Sequence, residues 1–191
     1  IKLEVVSSAN ILGLKGSHQY DNASSAYTAA KVLIPNLSET KVITGLKKTR
    51  WHGRIEHIEV GRITKFRNNI TILDGSHNED GAIALNKYLK ENLIGKCQLI
   101  IGMLNNRNAQ DFVNIFKSNI SKVFAISIPE VKSSYSSINL IKEMKKIDVI
   151  ALKSKSLEDA LTQSDRDKPL LITGSLYLTG HVLKYNKTII V

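Results

Sequence analysis

A single cysteine among 191 residues excludes an internal disulfide. Cys97 opens the apolar run Cys97 to Met103 and has no adjacent base, so it reads as a buried core thiol in a reducing compartment. No run of about eighteen apolar residues occurs, which excludes a membrane-spanning helix on hydropathy grounds. The opening Ile1-Lys2-Leu3-Glu4-Val5-Val6 has neither an initiator Met nor a signal-peptide pattern. It reads as the middle of a strand, and the expectation is a chain cut from something longer, acting in the cytoplasm. No internal repeat, low-complexity tract or phosphate loop is present; Gly13-Leu14-Lys15-Gly16-Ser17 lacks the spacing for the last.

What is abundant is positive charge. The formal net charge is +10, which invites a nucleic-acid reading. The excess is spread, however: residues 1–50 carry seven basic and three acidic side chains, the remainder twenty and fourteen. Clusters such as Lys47-Lys48-Thr49-Arg50 are short and not interleaved with aromatics. A general attraction to polyanions follows, nucleotides included, but not DNA or RNA recognition.

From about Trp51 onward, strand and helix alternate. Ile55 to Val60 and Ile70 to Leu73 read as strands joined through a polar turn at Lys65 to Asn69. A helix from Glu79 to Asn92 has Ala82, Leu85, Tyr88 and Leu89 on one face, with Gly95 stopping it. Strands follow at Gln98 to Met103, Lys122 to Ile128, Asp148 to Leu152 and Leu170 to Thr173. Helices are expected at Ala109 to Ser118, Ser136 to Lys146, Ser156 to Ser164 and Ser175 to Tyr185. Nearly continuous apolar strands such as Leu99-Ile100-Ile101 and Leu170-Leu171-Ile172 are covered on both faces. The fold class is therefore α/β: a Rossmann-like, doubly wound, mostly parallel sheet from about residue 50. The first fifty residues differ. A small-residue helix from Asn22 to Ile34 and a short one from Ser38 to Thr44, with Gly45 after its end, are too little for an independent core. A hinge is expected at Lys47 to Arg50.

Two motifs carry chemistry. Asp74-Gly75-Ser76-His77-Asn78 stands where a strand breaks into a turn and a helix, the edge at which open α/β sheets bind ligands. Asp74 can accept ribose hydroxyls or simply form the turn; Asn78 can cap the helix. His77, at a helix start, can donate toward a carboxylate. Upstream, Gly53-Arg54-Ile55-Glu56 offers a guanidinium for a phosphate, the plainer alternative being a surface ion pair of Arg54 with Glu56 or Glu59. Gly174-Ser175 repeats the strand–turn–helix arrangement, either as an anion site or as an N-cap. Asn22 can present its amide to an adenine edge or cap a helix, with His18 and Gln19 as loop residues.

Taken in order, Gly16-Ser17-His18-Gln19…Asn22-Ala23, Gly45-Leu46, Trp51-His52-Gly53-Arg54-Ile55-Glu56, Asp74-Gly75-Ser76-His77-Asn78, Gly102-Met103-Leu104 and Gly174-Ser175-Leu176-Tyr177 resemble the folylpolyglutamate synthase/dihydrofolate synthase family of Mur-ligase-like enzymes. The resemblance implies the C-terminal, smaller part of such an enzyme. Residues 1–47 would end the central ATP-binding domain, and residues 48–191 would be the Mur ligase C-terminal domain. It further implies ATP with Mg2+ as cofactor, and L-glutamate and dihydropteroate or a folyl-glutamate as substrates, joined through an acyl phosphate by a monomeric ligase of folate biosynthesis. Carried over by motif, Asn22, Arg54 and Asp74 contact ATP, and His77 and Ser175 position glutamate. The metal ligands and phosphate loop would lie upstream, so this chain alone is expected to be inactive. Three departures stand out: His52 and Glu79 where the family has Pro, and Asn106-Arg107-Asn108 where an Asp-Lys-Asp run is common, which removes local negative charge. Other Mur-type amino-acid ligases, or a non-catalytic nucleotide- or partner-binding α/β module from a split gene, are the alternatives. His18-Gln19 and the terminal Gly-Ser-Leu-Tyr argue against the first.

Overall fold

In the computed structural model, residues 12–93 and 95–188 are described; the strand expected at Ile1 to Val6 lies outside them. The chain divides into two compact units between Trp51 and His52.

The first unit contains helices α1 (His18–Leu33) and α2 (Glu39–Lys48). Both depart from expectation. Helix α1 begins at His18, because Gly16, at φ +101, turns the chain and its carbonyl accepts the Gln19 N–H at 3.0 Å. Asn22 is therefore inside the helix and caps nothing. Only Gln19 and Ala23 are buried in α1, and Ala26 and Ala29 are exposed, so the small-residue helix buries little of its surface. Helix α2 runs through Gly45 to Lys48, and its last carbonyls take Thr49 and Arg50. The stretch expected as a hinge is thus half helical.

The second unit is a six-stranded sheet in the order β1-β2-β6-β3-β4-β5, with β1 (Glu56–His57), β2 (Thr71–Leu73), β3 (Cys97–Ile101), β4 (Ile120–Ala125), β5 (Ala151–Lys153) and β6 (Leu170–Thr173). Only β1 is antiparallel. It is shorter than the sequence suggested: Ile55 leaves the extended region at φ +48 on one side, and the register with β2 ends at His57 on the other.

Alternation along the strands sorts the core into two layers. Ile72, Leu99, Ile101, Val123 and Leu171 face helices α3 (Glu79–Asn92), α4 (Ala109–Asn114) and α5 (Ser137–Lys145). Leu73, Ile100, Phe124, Leu170 and Ile172 face α6 (Leu157–Gln163) and α7 (Leu176–Asn186). Burying each such side chain contributes about 1.5–3 kcal/mol, which is why period-two and period-3.6 patterns dictate this sandwich. The stripe Ala82, Leu85, Tyr88 and Leu89 is buried as expected, and Asn78 caps α3 by accepting the Gly81 N–H. Cys97 is a fully buried thiol. No helix among the described residues is long and apolar enough to cross a membrane.

This topology fixes where a ligand can sit. The chain leaves β2 and β3 toward the α3–α5 layer, but leaves β6, which lies between them, toward α7. Divergence of neighbouring connections opens a crevice at the carboxyl ends of the strands.

Candidate functional site

The crevice is built from three strand ends. Asp74-Gly75-Ser76 leaves β2, Gly174-Ser175 leaves β6, and Gly102-Met103 leaves β3. The Gly174 N–H donates to the Ser76 carbonyl at 3.1 Å, tying the first two together. Gly174 sits at φ +118, and a Cβ there would lie 2.9 Å from the Gly102 carbonyl oxygen, so the close approach of β6 to β3 requires glycine.

Asp74 is 3% exposed, and its carboxylate is taken up by the backbone. Oδ1 accepts the Ser76 N–H and Oδ2 the Ile55 N–H, each at 2.9 Å. The first bond shapes the turn after β2; the second reaches across to the segment before β1. The Gly75 N–H also crosses, donating to the Gly53 carbonyl at 2.8 Å. One amide per oxygen leaves each oxygen a second lone pair, so what Asp74 visibly does is clamp the Gly53–Ile55 segment onto the end of β2.

That segment is strained. Gly53 has φ +72, and a Cβ there would come within 2.4 Å of Thr179 Cγ2. Ile55, a β-branched residue, is held at φ +48, a conformation such residues rarely adopt. Strain of about 1–3 kcal/mol persists only where the surroundings over-determine it. Here burial of Ile55 to 1% exposure and the Asp74 bond do so. Between the two positive-φ residues stands Arg54, exposed and without an ion pair or side-chain hydrogen bond to any described residue. The surface pair with Glu56 or Glu59, the plainer alternative, does not form among the described residues. Glu56 instead binds His52 Nδ1 at 2.8 Å and the Gly53 N–H at 2.8 Å. His52, where Pro was expected, thus braces the same turn through its side chain.

His77 is half-buried beside the α3 N-terminus, its Nδ1 3.1 Å from the Gly75 carbonyl oxygen. Ser175 is 3% exposed and caps α7, Oγ accepting the Tyr177 N–H at 3.0 Å. At the departure Asn106-Arg107-Asn108, Asn108 caps α4 by accepting the Asp111 N–H, as an Asp there would, and its Nδ2 also donates to Asp111 Oδ2 at 2.7 Å, which an Asp could not. Arg107 is exposed on the loop after β3.

Arg54, Asp74, His77 and Ser175 thus belong to connected turns of the second unit. Asn22 is in the first unit, exposed on α1, its Nδ2 donating to Gln19 Oε1 at 3.0 Å. Gln19, 5% exposed, also binds His18 Nε2 at 2.9 Å, and both lie in α1, so neither is the loop residue of the plainer alternative. The sequence reading missed Gln19 and Ile55 as supporting residues. The i, i+3 spacing of Gln19 and Asn22 becomes a signal only once the helix is started at His18; for Ile55 nothing in the sequence marks the positive φ.

No group of three His, Cys, Asp or Glu side chains among the described residues is arranged to hold a metal ion. The ligands for the expected Mg2+ are those the resemblance places upstream of this chain.

A family model described as "Dihydrofolate synthetase, C-terminal domain" matches residues 56–185. A folylpolyglutamate synthase of Saccharomyces cerevisiae is 27% identical over 220 residues, covering 90% of this chain and 39% of its own length. The chain spans about two-fifths of the curated relatives it matches. The solved folylpolyglutamate synthase of Thermotoga maritima superposes with a TM-score of 0.73 at 28% identity, over 93% of this chain and 40% of that one. That of Mycobacterium tuberculosis, solved with ADP and AMPPCP, superposes at 0.77 over 92% of this chain and 42% of that one; at 19% identity this is a likeness of fold.

Proposed function

Because the chain belongs to the dihydrofolate synthetase C-terminal domain family, we propose that it is the C-terminal part of an ATP-dependent ligase of folate metabolism. The reaction joins L-glutamate to dihydropteroate or to a folyl-(poly)glutamate through an acyl phosphate. Residues 1–47 are proposed to end the ATP-binding domain and residues 48–191 to form the glutamate-ligase domain. The metal ligands and phosphate loop are assigned to sequence preceding this chain, and the chain alone is expected to be inactive.

The observation that carries this reading is the free guanidinium of Arg54, displayed on a strained turn that the buried Asp74 clamps to the carboxyl edge of the sheet. An unpaired, always-charged fork of donors is suited to a transferring phosphoryl group, whose developing charge it stabilises without reorganising. Asp74 serves that guanidinium by fixing its backbone, and a nucleotide hydroxyl would use its remaining lone pairs. Asn22, exposed with its oxygen uncommitted, suits a purine amino group. His77 and the α7 N-terminus at Ser175 suit the amino-acid substrate, the latter offering backbone N–H groups to a carboxylate.

The test is ADP release by the longer polypeptide ending in this chain, in the presence of both glutamate and the pterin-bearing carboxylate. Arg54→Ala should lower kcat/KM by about 10²–10³ with the fold intact. Activity independent of glutamate, or an Arg54→Ala enzyme with wild-type kcat/KM, would refute the assignment.

A further inference from the structure

We propose that His77 removes the proton that the amino-acid substrate must shed before it attacks the acyl phosphate; this deepens the ligase reading above and rests on it. The argument begins with a carbonyl. The Gly75 oxygen lies 3.1 Å from His77 Nδ1, and a carbonyl oxygen can only accept, so Nδ1 carries the hydrogen. A neutral imidazole has one N–H, which leaves Nε2 as a bare lone pair. The Gly75 peptide is itself held, its N–H donating to the Gly53 carbonyl at 2.8 Å and Asp74 taking the next amide. The turn thus fixes both the tautomer and the ring. Asp74 and Asn78, on either side, already accept backbone amides, whereas Nε2 of His77 meets no partner among the described residues. This reverses the role expected from sequence. In this tautomer the neutral ring's free nitrogen cannot donate to a carboxylate; it attracts a positively charged N–H.

An amino acid arrives as an ammonium ion with no lone pair to attack with. Nε2 takes the first proton, and the freed pair forms the C–N bond at the acyl carbon. The C–O bond to phosphate breaks and its electron pair leaves with the phosphate oxygen. The nitrogen's second proton departs with the phosphate, which leaves as hydrogen phosphate. The third stays as the amide N–H, and the imidazolium returns its proton to water. Atoms and charge balance with the acyl phosphate and the ammonium as the only reactants.

The informative variant is His77→Asn, whose amide N–H can replace Nδ1–H on the Gly75 carbonyl while removing Nε2. In the longer polypeptide, kcat for glutamate should fall by about 10²–10⁴, the usual contribution of a general base. Hydroxylamine, which is mostly unprotonated at neutral pH, should still trap the acyl phosphate as hydroxamate at the wild-type rate. Equal loss of both reactions, or a raised KM for glutamate at unchanged kcat, would overturn the proposal in favour of a structural or carboxylate-binding role. Failure of the unaltered protein to give any hydroxamate would instead bring down the ligase reading itself. On the 191-residue chain, imidazole nitrogen NMR should find neutral His77 protonated at Nδ1; an Nε2–H tautomer would refute the argument at its root.

Discussion

Replacing Asp74 with Asn separates a structural clamp from a direct nucleotide contact. The carboxylate accepts two buried backbone amides, from Ile55 and Ser76, each at 2.9 Å. Asn keeps one acceptor and turns an N–H toward the other amide. A hydrogen bond to a charged group contributes about 1.5–3 kcal/mol, and a buried amide left unpaired costs about as much. If the Ile55 amide is the one released, its φ of +48 relaxes, and about 1 kcal/mol of strain is recovered. The net loss is about 2 kcal/mol, or roughly 4–8 °C in Tm for a domain of this size. Two controls calibrate it. Asn78→Ala removes an ordinary N-cap and should cost about 1 kcal/mol. Arg54→Ala, at an exposed and unpaired position, should stay within about 0.5 kcal/mol. Thermal melts followed by far-UV circular dichroism give the ranking, and hydrogen exchange at the Ile55 amide locates the damage. In the longer polypeptide, Asp74→Asn and Arg54→Ala should both weaken ATP use, but only the former should melt early. An Asp74→Asn protein as stable as wild type, with Ile55 still protected and ATP use lost, would show the carboxylate binding nucleotide rather than holding the turn.

Further outcomes can be checked on the chain as it stands. Burial pushes the Cys97 thiol up to about 12, so native protein should resist Ellman's reagent at pH 8 and react fully once unfolded; stoichiometric labelling of the native form would contradict this. Burial and Lys184 lower the His181 ring below its ordinary value, against an opposing pull from Glu130. The folded state then binds the proton less readily than the unfolded chain. Its contribution to stability is complete above about pH 6.5 and fades as pH falls through the folded value, so His181→Gln should flatten the decline in urea midpoint between pH 7 and pH 5. Gly174→Ala places a Cβ 2.7 Å from Met103 Cγ at a φ of +118, and should cost about 2–4 kcal/mol by urea unfolding. Asn108→Asp keeps the cap on α4 but sets a second carboxylate where Asn108 Nδ2 now donates to Asp111 Oδ2 at 2.7 Å, and should lower stability by about 0.5–1 kcal/mol in urea unfolding, less at high salt.

Much of the second unit was decided locally and could be read from the residues. The stripe on α3 and the doubly covered strands β3 and β6 follow from burial periodicity, and the caps at Asn78 and Ser175 from side chains that satisfy helix-terminal amides at short range. The boundaries in the first unit were misread because Asn22 was taken as a helix start and Gly45 as a stop. Asn22 lies inside α1, which begins at His18 after the turn at Gly16, and Gly45 is absorbed within α2, whose helical bonds continue to Thr49. Propensity is a weak prior, and a single glycine does not end a helix whose following residues continue it.

What the sequence by itself determined is the sheet–helix alternation, the strands that are covered on both faces, and the residue types brought to the strand ends. Those depend on interactions a few positions apart. The state of each site group was decided only by tertiary structure, through bonds between distant segments. Ile55 and Asp74, nineteen positions apart, set the strained turn that frees Arg54. Arg67, buried and nearly a hundred positions from its partner Ser164, locks the loop before β2 to the one before β6. A hydrogen bond has no periodicity along the chain, so the donor that satisfies a buried carboxylate can be found only after the backbone has brought the two together.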